Sequence, residues 1–159
     1  MPQWASRLGI SRAVLINSVR AAVATVASML LSQSLKLPEA YWAPISTIVV
    51  LLSPVNPHNV AWQRFVGTAL GAALGALIAT FFHPTWIVYG AGIFVCGILS
   101  ALLRIDGAYR FAAITLSIVL LVAYIRSPWI VALHRFVEVS LGIAVAVVVG
   151  VAWPAPANE

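Results

Sequence analysis

The chain has 159 residues, 62% of them hydrophobic and only 8% charged, with a mean hydropathy of +1.02. No soluble globular domain of this length carries that composition, so the chain is expected to dissolve in lipid. Nine Lys and Arg stand against four Asp and Glu, a net charge of +5. Charges this sparse between long apolar runs act as membrane-topology signals rather than as a nucleic-acid surface, and no nucleic-acid partner is expected.

A bilayer core about 30 Å thick takes roughly 20 apolar residues per helix, and six runs of about that length lie between Pro, Gly and charged punctuators. They predict spans at 18–35, 38–53, 64–82, 86–103, 108–125 and 130–153, an all-α polytopic membrane protein in a single domain over 1–159. Ahead of the first span Arg7 and Arg12 resemble the basic start of a signal peptide. Five more apolar runs follow it, so it is expected to be retained. In that span Arg20 falls in the first turn. The second span is short, and Pro44 sits beyond its first turn, where a missing N–H and a ring clash bend or break a helix. A discontinuous helix exposing backbone dipoles to a substrate and a simple packing kink both remain open, and Ser46 and Thr47 would supply hydroxyls to either.

The third span opens on Arg64 and carries Gly67, Gly71 and Gly75 at every fourth residue, a face that lets another backbone approach closely. Helix packing is the main reading of this face, and a glycine-lined pore wall is the other. In the fourth span the lone Cys96 lies in an apolar run, which excludes a disulfide within the chain. Arg110 opens the fifth. On the sixth, Arg135 and Glu138 are three apart and share one helix face. One reading is a local ion pair with Arg135 snorkelling outward; the other is an arginine on an anion path with Glu138 as gate, partner or proton acceptor. Arg20, Arg64 and Arg110 are explained by anchoring at cytoplasmic helix ends, and would also line an anion vestibule, since arginine binds carboxylates bidentately and keeps its charge.

With six spans both termini share a side, which collects Arg7, Arg12, Arg64, Arg104 and Arg110 against Lys36, Arg126 and Arg135 opposite, and the positive-inside bias makes that side cytoplasmic. Trp42, Trp62, Trp86, Trp129 and Trp153 fall near predicted helix ends, where interfacial aromatics belong. His58, His83 and His134 lack metal-ligand spacing and no phosphate-binding glycine loop occurs, so neither an enzyme, nor a metal site, nor a cofactor is expected.

The sequence also repeats itself. Leu35-Lys36-Leu37-Pro38-Glu39-Ala40-Tyr41 aligns with Leu103-Arg104-Ile105-Asp106-Gly107-Ala108-Tyr109, Val49-Val50-Leu51-Leu52 with Ile118-Val119-Leu120-Leu121, and Arg64-Phe65-Val66 with Leu70-Gly71 matches Arg135-Phe136-Val137 with Leu141-Gly142. Three helices per unit, about 13–85 and 86–154, reverse the second copy in the membrane. The expectation is an inverted repeat with a site near the midplane between copies. It pairs Arg64 with Arg135, at opposite ends, and Lys36 with Arg104.

Ser18-Val19-Arg20-Ala21-Ala22, Leu37-Pro38-Glu39-Ala40-Tyr41-Trp42-Ala43, Arg64-Phe65-Val66-Gly67-Thr68 and Arg135-Phe136-Val137-Glu138 before Leu141-Gly142 together resemble the fusaric acid resistance protein-like (FUSC) family, the aromatic acid exporter group. The resemblance runs from Ser18 to Pro154. It implies a six-helix membrane domain, related to plant aluminium-activated malate transporters, that moves organic anions and assembles as a homodimer or higher homo-oligomer in the inner (plasma) membrane. Long members carry a further cytoplasmic domain or a second membrane half, which this sequence does not contain. The function expected is a transporter or channel for small organic anions, exporting aromatic or other carboxylates. The alternative is a non-transporting membrane scaffold subunit.

Overall fold

In the computed structural model, residues 12–54, 56–83, 85–105, 107–122 and 126–156 are described. They form six helices: α1 Arg12–Ser34, α2 Trp42–Leu51, α3 Pro57–Phe81, α4 Trp86–Leu102, α5 Ala108–Val122 and α6 Pro128–Ala152. Among the described residues there is no strand. In hydrocarbon every backbone N–H and C=O needs a partner from its own segment, and a helix provides one. The ends are fixed locally. Pro57 and Pro128 stand at the first helical positions, where a missing N–H costs nothing, and the side chains of Asn56 and Thr85 accept hydrogen bonds from the His58 and Val88 N–H groups.

Helix lengths are less even than the spans expected. Among the described residues only α1, α3 and α6 are long and apolar enough to cross a bilayer alone, at 23, 25 and 25 residues; α2, α4 and α5 are apolar but shorter, at 10, 17 and 15. At about 1.5 Å per residue α2 covers roughly half the hydrocarbon thickness. Three starts also move. α1 is described from Arg12 rather than 18; α3 begins at Pro57 rather than 64 and α6 at Pro128 rather than 130, each opened by a proline cap, after which polar residues such as His58 and Gln63 continue α3. Arg20 and Arg64 therefore lie about two turns inside their helices instead of in the first turn. Pro44 is the third residue of α2, where its missing N–H would have had no helical partner, so α2 runs unbroken through it. Arg7, Asp106 and Ile125 lie outside the described residues.

α3 packs most extensively on α5, followed by α2 on α6 and α3 on α6. α1 lies on α2 and α6, and α4 on α5 and α3. Exchanging α1, α2 and α3 for α4, α5 and α6 carries α3 on α6 onto itself and each of the other packed pairs onto another packed pair. The tightest approaches are at glycines. A Cβ at Gly71 would overlap the Ala112 carbonyl oxygen of α5, and one at Gly142 would overlap the Ala43 carbonyl oxygen of α2. Gly67 and Gly75 face α5 as well, against Ala108 and Phe111 and against Val119 and Leu116. Thr47 Oγ1 fastens α2 to α6 by donating to the Gly142 carbonyl oxygen at 3.0 Å.

The interior is small and polar: Ala24, Ala43, Ala76, Ser28, Ser46, Thr47, Thr68 and Thr115 are buried together with Arg20, Arg64, Arg135 and Glu138. The outer surface carries large apolar side chains such as Leu30, Phe94, Ile114, Leu133 and Val148. Water would oppose this inside-out distribution and lipid favours it, since small residues let helices approach where there is no hydrophobic drive to associate.

α1 and α4 end alike. Among the described residues Lys36 and Arg104 are the non-glycine residues with positive φ, at 53° and 57°. Leu37 N–H reaches the Ser32 carbonyl at 3.1 Å and Lys36 N–H the Gln33 carbonyl at 2.9 Å, just as Ile105 N–H reaches Ser100 at 3.0 Å and Arg104 N–H reaches Ala101 at 2.9 Å. This pattern favours glycine at the left-handed position. Lys36→Gly is therefore expected to stabilise the protein by about 1 kcal/mol, read as a higher thermal midpoint in detergent; a lower midpoint would contradict the strain assigned to this residue.

Candidate anion site

Arg64 stands seven residues after Pro57 on α3, and Arg135 seven residues after Pro128 on α6. Equal spacing from a proline cap gives the two guanidinium groups equal depth along their helices, and both are buried, 8% and 3% exposed. They do not sit at opposite ends of the bundle, as the sequence suggested. Both line one cavity of about 20 Å³, with Trp42, Thr68, Phe111, Thr115 and Val139 among the other walls. That volume admits about one water molecule.

Each arginine lies against an aromatic ring from the partner helix pair. Arg135 Cζ is 3.8 Å from the centre of the Trp42 ring on α2, and Arg64 Cζ is 5.1 Å from the Phe111 ring on α5. A ring face attracts a guanidinium most strongly where water is excluded. The polar partners differ. Arg64 Nη2 donates to Ser46 Oγ at 3.1 Å while its Nε has no partner, and among the described residues Arg64 makes no ion pair. Arg135 Nη2 lies 2.6 Å from Glu39 Oε2.

Glu138 is fully buried on α6, yet it does not form the local ion pair with Arg135 that their spacing allows. Its Oε1 accepts the backbone N–H of Glu39 at 2.9 Å, and its Oε2 has no partner. The carboxylate against Arg135 comes instead from the turn between α1 and α2, 96 positions away. Glu39 Oε2 also accepts from Tyr41 Oη at 3.3 Å and Trp42 Nε1 at 3.1 Å. Helical spacing within α6 names only near neighbours, so Glu39 escaped it; its place in the repeated segment around Lys36 was the available signal.

The remaining expected residues separate into groups. Ser46 touches Arg64, whereas Thr47 bonds Ala43 and Gly142 and holds helices together. Pro44 is buried in the first turn of α2. Arg110 is exposed, its Cζ 4.6 Å from the centre of the same Phe111 ring that Arg64 approaches. It opens on a recess of about 350 Å³ that Phe111 also lines, so Phe111 borders both the recess and the central cavity. Arg20 is buried near Asn17, 3.4 Å from its Oδ1, and does not line the cavity.

Apolar helices long enough to span a bilayer, large apolar side chains outside and buried guanidinium groups within define a helical membrane protein. The chain belongs to the fusaric acid resistance protein-like family, which it matches over residues 25–149. It is also similar to the inner membrane protein YeeA of Escherichia coli strain K12, 27% identical over 148 residues that cover 88% of this chain and 41% of that protein. The chain thus spans about two fifths of the length of that relative. No solved structure matches.

Proposed function

We propose that this chain is a transporter or channel for small organic anions, aromatic carboxylates foremost, in the inner membrane, and that the cavity between Arg64 and Arg135 is the narrowest point of the path. The observation that carries the reading is the pair of buried arginines on one cavity, of which Arg64 has no carboxylate partner among the described residues. A buried, unpaired guanidinium is costly in a membrane unless an anion visits it, and its planar fork suits a carboxylate. The rings of Trp42 and Phe111 offer apolar faces to an aromatic body. The recess beside Arg110 supplies an approach, and an anion larger than water enters the cavity once the Phe111 ring or the Trp42 ring moves.

The architecture proposed with it is two inverted three-helix repeats, six passes in all, with both termini cytoplasmic and a homodimer or higher oligomer in the bilayer. The exchange symmetry of helix packing, the matching ends at Lys36 and Arg104, and the equal registers of Arg64 and Arg135 support the repeat. α2, α4 and α5 would then complete their crossings with the turns that flank them, as discontinuous helices do in transporters. No catalytic role and no cofactor is proposed. A scaffold subunit would face its arginines toward lipid headgroups; here both face inward.

Binding is the first test. An aromatic monocarboxylate at about a hundred times its Kd is expected to stabilise the purified protein by about 2.7 kcal/mol. The Arg64→Ala, Arg135→Ala double variant should show no such shift. Equal stabilisation of both proteins, or of neither, would refute the site.

A further inference from the structure

The two halves of the cavity are not equally free to receive an anion. Aligning the repeats places Glu39 opposite Gly107 and Glu138 opposite Gly67. One half carries two carboxylates around its arginine, and the other carries glycines in their place. The charge on Arg64 is met by a neutral hydroxyl, Ser46 Oγ at 3.1 Å, and that on Arg135 by a carboxylate at 2.6 Å.

Glu39 is held in two separate ways. Its backbone N–H is tied to Glu138 Oε1 at 2.9 Å, which fixes the turn to α6, and its side chain alone reaches Arg135. The carboxylate oxygen that touches Arg135 collects the Tyr41 hydroxyl and the Trp42 indole N–H as well, so one oxygen carries the whole interaction. The side chain keeps 22% of its surface exposed, whereas that of Arg135 keeps 4%. Arg135 Nε and Nη1 have no partner, so its hydrogen-bonding capacity is not used up by Glu39. A side chain about one fifth exposed on an anchored turn can leave while the turn stays, and a buried arginine with idle donors can take another carboxylate in its place.

We propose that Glu39 is a tethered competitor: its carboxylate occupies the Arg135 half of the anion site when the site is empty, and a substrate carboxylate binds by displacing it. This rests on the anion-transport reading and adds a residue that sets its affinity. The chemical class of ligand follows from the contact it replaces, a carboxylate that accepts from a guanidinium beside an indole face. Tethering gives Glu39 a high effective concentration at Arg135, against which a free anion must compete, so the site has a lower affinity than its two arginines alone would give. The anchor on Glu138 keeps Glu39 close enough to return when the substrate leaves, and the Arg135 charge is never left without a partner.

Equilibrium binding of an aromatic monocarboxylate to the purified full chain, wild type beside Glu39→Gln and Glu39→Asp, tests this. Gln keeps the shape and removes the charge. Asp keeps the charge on a side chain one methylene shorter, which no longer reaches Arg135. Displacement predicts that both variants bind about tenfold more tightly, a change of about 1.4 kcal/mol. Tighter binding by Gln with Asp unchanged would reduce Glu39 to a distant charge and overturn the proposal. Weaker binding by both would make Glu39 a support for Arg135 and overturn it equally. Binding by wild type that is lost in Arg64→Ala, with both Glu39 variants unchanged, would refute the competitor and leave the transport reading standing. No binding by any form would overturn both.

Discussion

Arg64→Ala is expected to lower the uptake of an aromatic carboxylate into proteoliposomes at least about tenfold. A hydrogen bond to a charged group contributes about 1.5 to 3 kcal/mol, and each 1.4 kcal/mol is a factor of about ten. Arg64 is the guanidinium on the cavity that no carboxylate of the described chain neutralises, so its loss removes attraction rather than freeing a competitor. Arg64→Lys should fall between the two, since an ammonium keeps the charge without the planar fork that grips both carboxylate oxygens. The Ala variant also leaves Ser46 Oγ its bond to the Trp42 carbonyl at 2.8 Å, so α2 should keep its place. Uptake by Arg64→Ala equal to wild type, from protein with an unchanged thermal midpoint, would remove Arg64 from the path.

The second large effect is structural. Gly71→Val is expected to destabilise the bundle by about 3 kcal/mol, because the new Cβ meets the backbone of Ala112, which cannot rotate away. Gly90→Ala is the matched control. Nothing lies within 4 Å of a Cβ at Gly90, so the gain in helix propensity should stabilise by up to about 1 kcal/mol. Thermal unfolding in detergent separates the two, and a Gly71 variant as stable as the Gly90 variant would mean that α3 and α5 do not approach as described.

Much of this molecule is legible in its sequence. The apolar runs and their Pro, Gly and charged breaks locate six helices, and the repeated Arg-Phe-Val segments identify Arg64 and Arg135 as a pair before any coordinates. Helix starts were less legible. A hydropathy reading opens a span at its first long apolar run, whereas Pro57 and Pro128 with the polar turns after them open the helices earlier and move Arg64 from a helix end to the interior. The same reading makes the second span short, at 38–53, and its helix is shorter still, only 10 residues long. The carboxylate against Arg135 was least legible. Spacing along one helix can pair residues three or four apart, and it pointed to Glu138, while Glu39 meets Arg135 only through the packing of α2 on α6.

One arrangement underlies the functional reading: two guanidinium groups held inside a membrane bundle, facing one cavity between aromatic rings. Its most direct test is the uptake of an aromatic monocarboxylate and of malate into proteoliposomes holding purified wild-type protein, beside Arg135→Ala and protein-free vesicles. Uptake of at least one anion well above protein-free vesicles, abolished in Arg135→Ala, is the result expected. Folded wild-type protein that moves neither anion, or uptake that Arg135→Ala leaves unchanged, would contradict an arginine-lined anion path and favour a scaffold subunit.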